Sequence, residues 1–120
     1  MTFGSIVYKH NNLEETKLLT TLVDQKFQTL KKFIAPQSVI LCEVEFEKVG
    51  GHQQGRIYRV ETNLSVNGTL YRAEATEDNF EKAIDVVRSE LYTELGKAKD
   101  KNDTLSRKAG RMFKSLLVRS

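Results

Sequence analysis

The sequence predicts an α+β domain: a β-α-β-β-β-α chain forming a four-stranded sheet with two helices packed on one face, plus a short basic C-terminal helix. Three observations predict it. Val39–Lys48 and Arg56–Val66 alternate apolar and polar residues at the two-residue period of a half-buried strand. Asn67-Gly68, between two such runs, is a tight hairpin signal, because both positions need positive φ. Apolar residues at helical spacing lie before and after the strands, and two helices on one face are the simplest cover for such a sheet.

Phe3–Tyr8 reads as the first strand, broken by Asn11-Asn12. A helix is predicted from about Leu13 to Ile34 on the spacing of Leu19, Leu22, Val23, Phe27, Leu30 and Ile34. Asn12 is its N-cap, Glu14 and Glu15 fall in the first turn and Lys31 and Lys32 in the last, and Pro36 ends the segment. In the second strand Ile40, Cys42, Val44 and Phe46 face inward, and Glu43, Glu45 and Glu47 outward. Residues 50–55 form a glycine-rich hairpin loop. The third strand turns Tyr58, Val60, Thr62, Leu64 and Val66 inward and Arg59, Glu61 and Asn63 outward; Thr69–Ala75 is the fourth. Arg59 is expected to pair with Glu43 and Glu45 across the outer face. Asp78 and Glu81 have the spacing of a capping box opening the second helix, whose stripe is Phe80, Ala83, Ile84, Val87, Leu91 and Leu95. Gly96 weakens that helix near its end. Asp103 is read as capping a last short helix, with Leu105, Ala109, Met112, Phe113, Leu116 and Leu117 on one side and Arg107, Lys108, Arg111 and Lys114 on much of the rest. The expected division is an α/β domain over residues 1–101 and a basic amphipathic tail over 102–120.

A chain of 120 residues, 39% hydrophobic and 29% charged, supplies one core. Its longest apolar runs, Ser38–Cys42 and Leu116–Val118, fall far short of the roughly 20 residues a membrane helix needs. The N-terminus lacks the pattern of a signal peptide, so a cytoplasmic location is expected. The single cysteine, Cys42, cannot close an intramolecular disulfide. The net charge is only +3, but it is unevenly spread: residues 96–120 carry +6 and residues 1–95 carry −3. A positive field gathered at one end points to a polyanionic partner.

Catalytic patterns are missing. Gly50-Gly51 lies in a hairpin without the Lys-Ser/Thr of a phosphate loop. His10 and His52 lack partners at metal-ligand spacing, and Cys42 points inward as a structural thiol. Thr76, Glu77 and Asp78 are better explained as a helix start than as an acid cluster. The reading is of a binding protein, not an enzyme, with no metal, cofactor, membrane or small-molecule substrate.

Several segments carry a resemblance. They are Val23-Asp24-Gln25-Lys26-Phe27, Leu30-Lys31-Lys32-Phe33, Tyr58-Arg59-Val60-Glu61, the Asn67-Gly68 turn, Tyr71-Arg72-Ala73-Glu74, Ala83-Ile84-Asp85, and Leu91 and Leu95 with Lys97 and Lys101. In order and spacing, over about residues 3–101, the chain resembles the ribosome hibernation-promoting factors, or ribosome-associated inhibitors, of the sigma-54 modulation protein family. With no second domain in view, the short form is the match.

The resemblance implies binding to the small ribosomal subunit between head and body, in the mRNA/tRNA channel, and silencing of idle ribosomes in stationary phase or stress. It places Lys26, Lys32, Lys97 and Lys101 at basic positions of the family pattern. Helix geometry adds Lys31 and Arg88, and the tail adds Arg107, Lys108 and Arg111. Such cations neutralise phosphates and release counterions, and structured RNA is read mainly by shape and backbone. Thr29, Glu90 and Thr93 stand where the family often has Lys or Arg. A monomer is expected. The competing readings are a protein-interaction module that dimerises or docks through the tail, and a generic binder of double-stranded RNA.

Overall fold

The computed structural model describes the backbone of residues 5–50 and 55–119 and the side chains of residues 5–50 and 55–101. The elements are β1 Ile6–Asn11, α1 Lys17–Lys26 continued by a 3-10 helix Phe27–Phe33, β2 Ile40–Lys48, β3 Tyr58–Val66, β4 Thr69–Glu77 and α2 Phe80–Arg119. The sheet order is β1-β2-β3-β4. β1 runs parallel to β2, and the other neighbours are antiparallel. A parallel pair needs a crossover, and α1 with the 3-10 helix supplies it.

The alternation sets which face is dry. Cys42, Val44, Phe46, Val60, Leu64, Ala73 and Ala75 are buried under the helices. Val23, Phe27 and Leu30 reach them from one side, and Ala83, Ile84, Val87, Leu91 and Leu95 from the other. Phe46 stands edge-on to Phe80 at 5.9 Å and stacks on Tyr8 at 6.0 Å, which seals the end of the core where α2 begins. Cys42 is the buried thiol expected, its pKa pushed up to about 12 by burial and then by Glu43. Asn67 and Gly68 have φ of 50° and 87°, the left-handed pair that the predicted turn requires. The Asn67 Oδ1 also accepts from the Val39 N–H at 2.9 Å, which ties the hairpin to the approach to β2.

Boundaries differ from the sequence reading where tertiary contacts compete with local signals. Asn11 pairs with Glu47 inside β1 instead of ending it, and Phe3 lies outside the described residues. Asn12 is not a helix cap: its φ is 62°, and its Nδ2 donates to the Lys48 carbonyl oxygen at 3.1 Å. Helix α1 starts only at Lys17, whose N–H donates to Glu15 Oε1 at 2.8 Å. Past Lys26 the coil tightens. There the Gln28 and Thr29 side chains donate to the Asp24 and Lys26 carbonyl oxygens, both at 3.0 Å, and compete for the α-helical acceptors. The three-residue period then aligns Phe27, Leu30 and Phe33 on one side.

Asn79, not Asp78, opens α2, because its Oδ1 accepts from the Lys82 N–H at 2.8 Å. The expected Asp78–Glu81 capping box does not form; Asp78 faces Lys82 at 3.8 Å instead. Nor does the helix stop near Gly96 and restart at Asp103: one backbone helix of 40 residues runs to Arg119. Gly96 sits where the Phe33 ring closes on α2, and a Cβ there would meet it at 3.4 Å, an ordinary contact.

The outer face is a charge network centred on Arg59. Its guanidinium reaches Glu45 and Glu47 at 3.4 Å, Glu74 at 2.7 Å, and also Glu61. The expected pairing with Glu45 forms. Glu43 does not reach Arg59, because in register it lies opposite Asn63, and it pairs with Lys9 at 3.6 Å. Burial opposes the Glu61 charge, but hydrogen bonds from Arg59 and Asn63 outweigh it and hold the carboxyl below its ordinary value of 4.5. A depressed folded pKa stabilises above the unfolded value, and that stability is lost as pH falls through the folded value. Unfolding titrations of the wild type should therefore lose stability below about pH 4.5, and Glu61→Gln should flatten part of that loss. Gly96→Ala should raise stability by about 0.5–1 kcal/mol, read as a higher urea midpoint, since helix propensity improves and the Phe33 contact tolerates a methyl group. A lower midpoint would show that the Phe33 ring cannot yield.

Candidate nucleic-acid interface

The cations singled out in the sequence fall into three groups in space. Lys26, Lys31 and Lys32 come from α1 and the 3-10 helix, on the side that packs against α2. With about 3.6 residues per turn, Arg88 and Lys99 lie on the flank of α2 towards them. Lys97 and Lys101 lie on the opposite flank, the one above β4. The structure thus does not bring the four family-pattern lysines onto one face. Arg107, Lys108 and Arg111 belong to the backbone helix beyond Lys101, where side chains lie outside the described residues.

Charge compensation divides them further. The Lys26 ammonium is 2.7 Å from Asp85 and 3.9 Å from Glu81, and only 25% of its side chain is exposed. Its charge is largely answered within the protein. Lys97 is exposed and has only Glu94 at 3.6 Å, a pair of small energetic weight. Lys32 stands over two rings, 4.6 Å from the Tyr92 centroid and 5.1 Å from that of Phe33. Those rings meet edge-on at 4.8 Å, so the ammonium is positioned without losing its charge. Lys31 is half-buried in the last turn of the 3-10 helix. Arg88, Lys99 and Lys101 make no ion pair with another of the described residues.

The positive field therefore gathers at the far end of the helical layer, where the 3-10 helix ends and α2 leaves the sheet. A groove of about 550 Å³ lies there, lined by Lys32, Lys99, Ser38, Asn67, Thr69 and Tyr71 among others. Lys99, which lines this groove, is not among the cations singled out in the sequence. Its signal was available, because it falls on the same helical flank as Arg88. Glu90 and Thr93, read as departures at basic positions, line a separate groove between α2 and β4.

This arrangement offers fixed ammonium and guanidinium groups and hydroxyls, suited to holding phosphates rather than moving protons. Among the described residues no three or more His, Cys, Asp or Glu side chains are placed to hold a metal ion. No described helix is long and apolar enough to cross a membrane.

A search of curated proteins finds no match. The N-terminal domain of Protein Y from Thermus thermophilus superposes with a TM-score of 0.61 at 22% identity, covering 75% of this chain and 91% of that one. A ribosomal subunit interface protein from Coxiella burnetii superposes with a TM-score of 0.62 at 20% identity, covering 79% and 97%. At these identities the likeness establishes the fold. The family model of the sigma 54 modulation protein / S30EA ribosomal protein matches residues 6–103, nearly the whole α/β unit, and the chain belongs to that family.

Proposed function

We propose that this chain is a ribosome hibernation factor that occupies the mRNA/tRNA channel of the small ribosomal subunit, binds its ribosomal RNA and blocks translation by idle ribosomes in stationary phase or stress. The observation that carries this reading is the family match over residues 6–103, which contains Lys26, Lys31, Lys32, Arg88, Lys97 and Lys101. The name of the Coxiella burnetii protein, a ribosomal subunit interface protein, supports the same partner.

The electrostatics give the proposal its mechanism. The cations without an acid partner among the described residues lie where α2 leaves the sheet, and Arg107, Lys108 and Arg111 follow along the same helix. Its 40 residues span roughly 60 Å, about twice the length of a nine-residue strand, so about half of it extends beyond the sheet. A compact domain with such an arm reaches phosphates at two places. Blocking requires no chemistry, only occupancy of the path that mRNA and tRNA need.

Replacing Lys32, Lys97, Lys99 and Lys101 together by Glu should abolish co-sedimentation with small subunits while the circular dichroism spectrum stays that of the wild type. Lys26→Gln alone should weaken association much less, because Lys26 is already paired with Asp85. Wild-type binding should fall steeply as salt rises. Normal pelleting of the quadruple variant would refute this end of the helical layer as the RNA contact, and equal affinity for any RNA duplex would favour a generic RNA binder. Truncation after Asn102 should lower both the affinity and its salt dependence. An unchanged salt slope would show that the tail contacts no phosphate.

A further inference from the structure

β4 is an edge strand, with β3 on one side and none of the other strands on its other side. Its nine residues, Thr69–Glu77, contain no proline and keep an unbroken register with β3. Edges of that kind pair with another chain unless guarded by lysines, prolines or bulges. The opposite edge, β1, has six residues and includes Lys9. Beside β4, α2 overhangs an open groove of about 760 Å³ lined by Arg72, Lys82, Val86, Glu90, Thr93 and Glu94 among others. We propose that β4 pairs antiparallel with β4 of a second copy of this chain about a twofold axis at Ala73, joining two four-stranded sheets into one.

Charge selects the partner and the register. A twofold centre at Ala73 sets Arg72 of each copy directly opposite Glu74 of the other, both on the outer face and 58% and 54% exposed. Moving the centre by one residue sets Arg72 against Arg72 or Glu74 against Glu74, and like charges directly opposed repel. On the inner side the same centre sets Tyr71 against Ala75, large against small. Arg72 already lies 3.2 Å from Glu61 and 3.8 Å from Glu74 of its own chain, so the new pairs extend an existing network.

The flank of α2 over the groove carries Lys82, Glu90 and Glu94, with Lys97 and Lys101 further along it. α2 rests on β3 and β4, and neighbouring strands are about 4.8 Å apart. Two such helices across the axis stand near the roughly 8–10 Å of packed helices. The proposed dimer differs from the monomer expected from the sequence. It leaves Lys32, on the far side of α2, outside the proposed contact.

Sedimentation equilibrium of the full chain, from micromolar to millimolar concentration, tests this. The wild type should dimerise with concentration. Arg72→Glu and Glu74→Arg should each weaken the dimer by roughly tenfold or more, since symmetry turns two attractive pairs into two repulsive ones. The charge-swapped double variant should restore it. A second readout on the wild type alone is amide hydrogen exchange, in which β4 should gain protection as concentration rises. A wild type monomeric to millimolar concentration, single variants that dimerise normally, a double variant as weak as the singles, or β4 exchange independent of concentration would each overturn the proposal.

Discussion

The seating of α2 on the sheet is the constraint from which the rest follows. Ala83, Ile84, Val87, Leu91 and Leu95 are buried against Val44, Val60, Leu64, Ala73 and Ala75. Each large side chain there contributes about 1.5–3 kcal/mol by leaving water, and together they fix the rotation of the helix. Once that rotation is fixed, every other residue of α2 has an assigned direction. Asp85 meets Lys26, Tyr92 meets Phe33 and Lys32, and Lys99 enters the groove at the end of the 3-10 helix. The helix is also longer than the sheet that seats it, so its basic continuation projects from the domain.

The two faces of the domain handle charge in opposite ways. On the outer face Arg59 is shared among four carboxylates, and hydrogen bonds to Glu74 and Glu61 overcome the cost of burial and keep it charged. That face keeps an excess of carboxylates over Lys9, Arg59 and Arg72, so it does not attract a polyanion. On the helical side compensation stops part-way along α2. Glu81 and Asp85 answer Lys26, but Lys99 and Lys101 have no described acid within ion-pair distance. A modest net charge of +3 thus becomes a local field, because the acids sit near the start of α2 and the bases near its end.

The strands were legible in the sequence because a period of two leaves no freedom: shifting β2 or β3 by one residue would turn Glu45 or Arg59 into the core. The Asn67-Gly68 turn was legible because few other pairs tolerate both dihedrals. Helix ends were not, since several residues compete locally for each cap. Asn12 and Asp78 are good caps in isolation, but pairing of β1 with β2 recruits Asn12, and α2 starts at Phe80, packed on Phe46 and Tyr58, with Asn79 as the cap. The switch to a 3-10 helix was half legible, because Phe27, Leu30 and Phe33 already carry a period of three. In the site, residue type was readable but compensation was not. Nothing in the chain order says that Lys26 meets Asp85, 59 positions later, or that Lys97 and Lys99 point to different flanks.

That division of α2 into two flanks bears on how the proposed contacts coexist. The flank towards α1 and the 3-10 helix carries Arg88 and Lys99, and the flank over β4 carries Lys82, Glu90 and Glu94, followed by Lys97 and Lys101. A phosphate surface is attracted to the first flank and to the end of the second, and is repelled at Glu90 and Glu94. The two proposed contacts are therefore separated along the helix as well as around it. In the proposed dimer the α1 lysines of the two copies face away from each other, so binding of one copy to RNA leaves the other free to bind. Two weak cationic faces held together in this way raise the effective concentration of the second contact, provided both can reach phosphates at once.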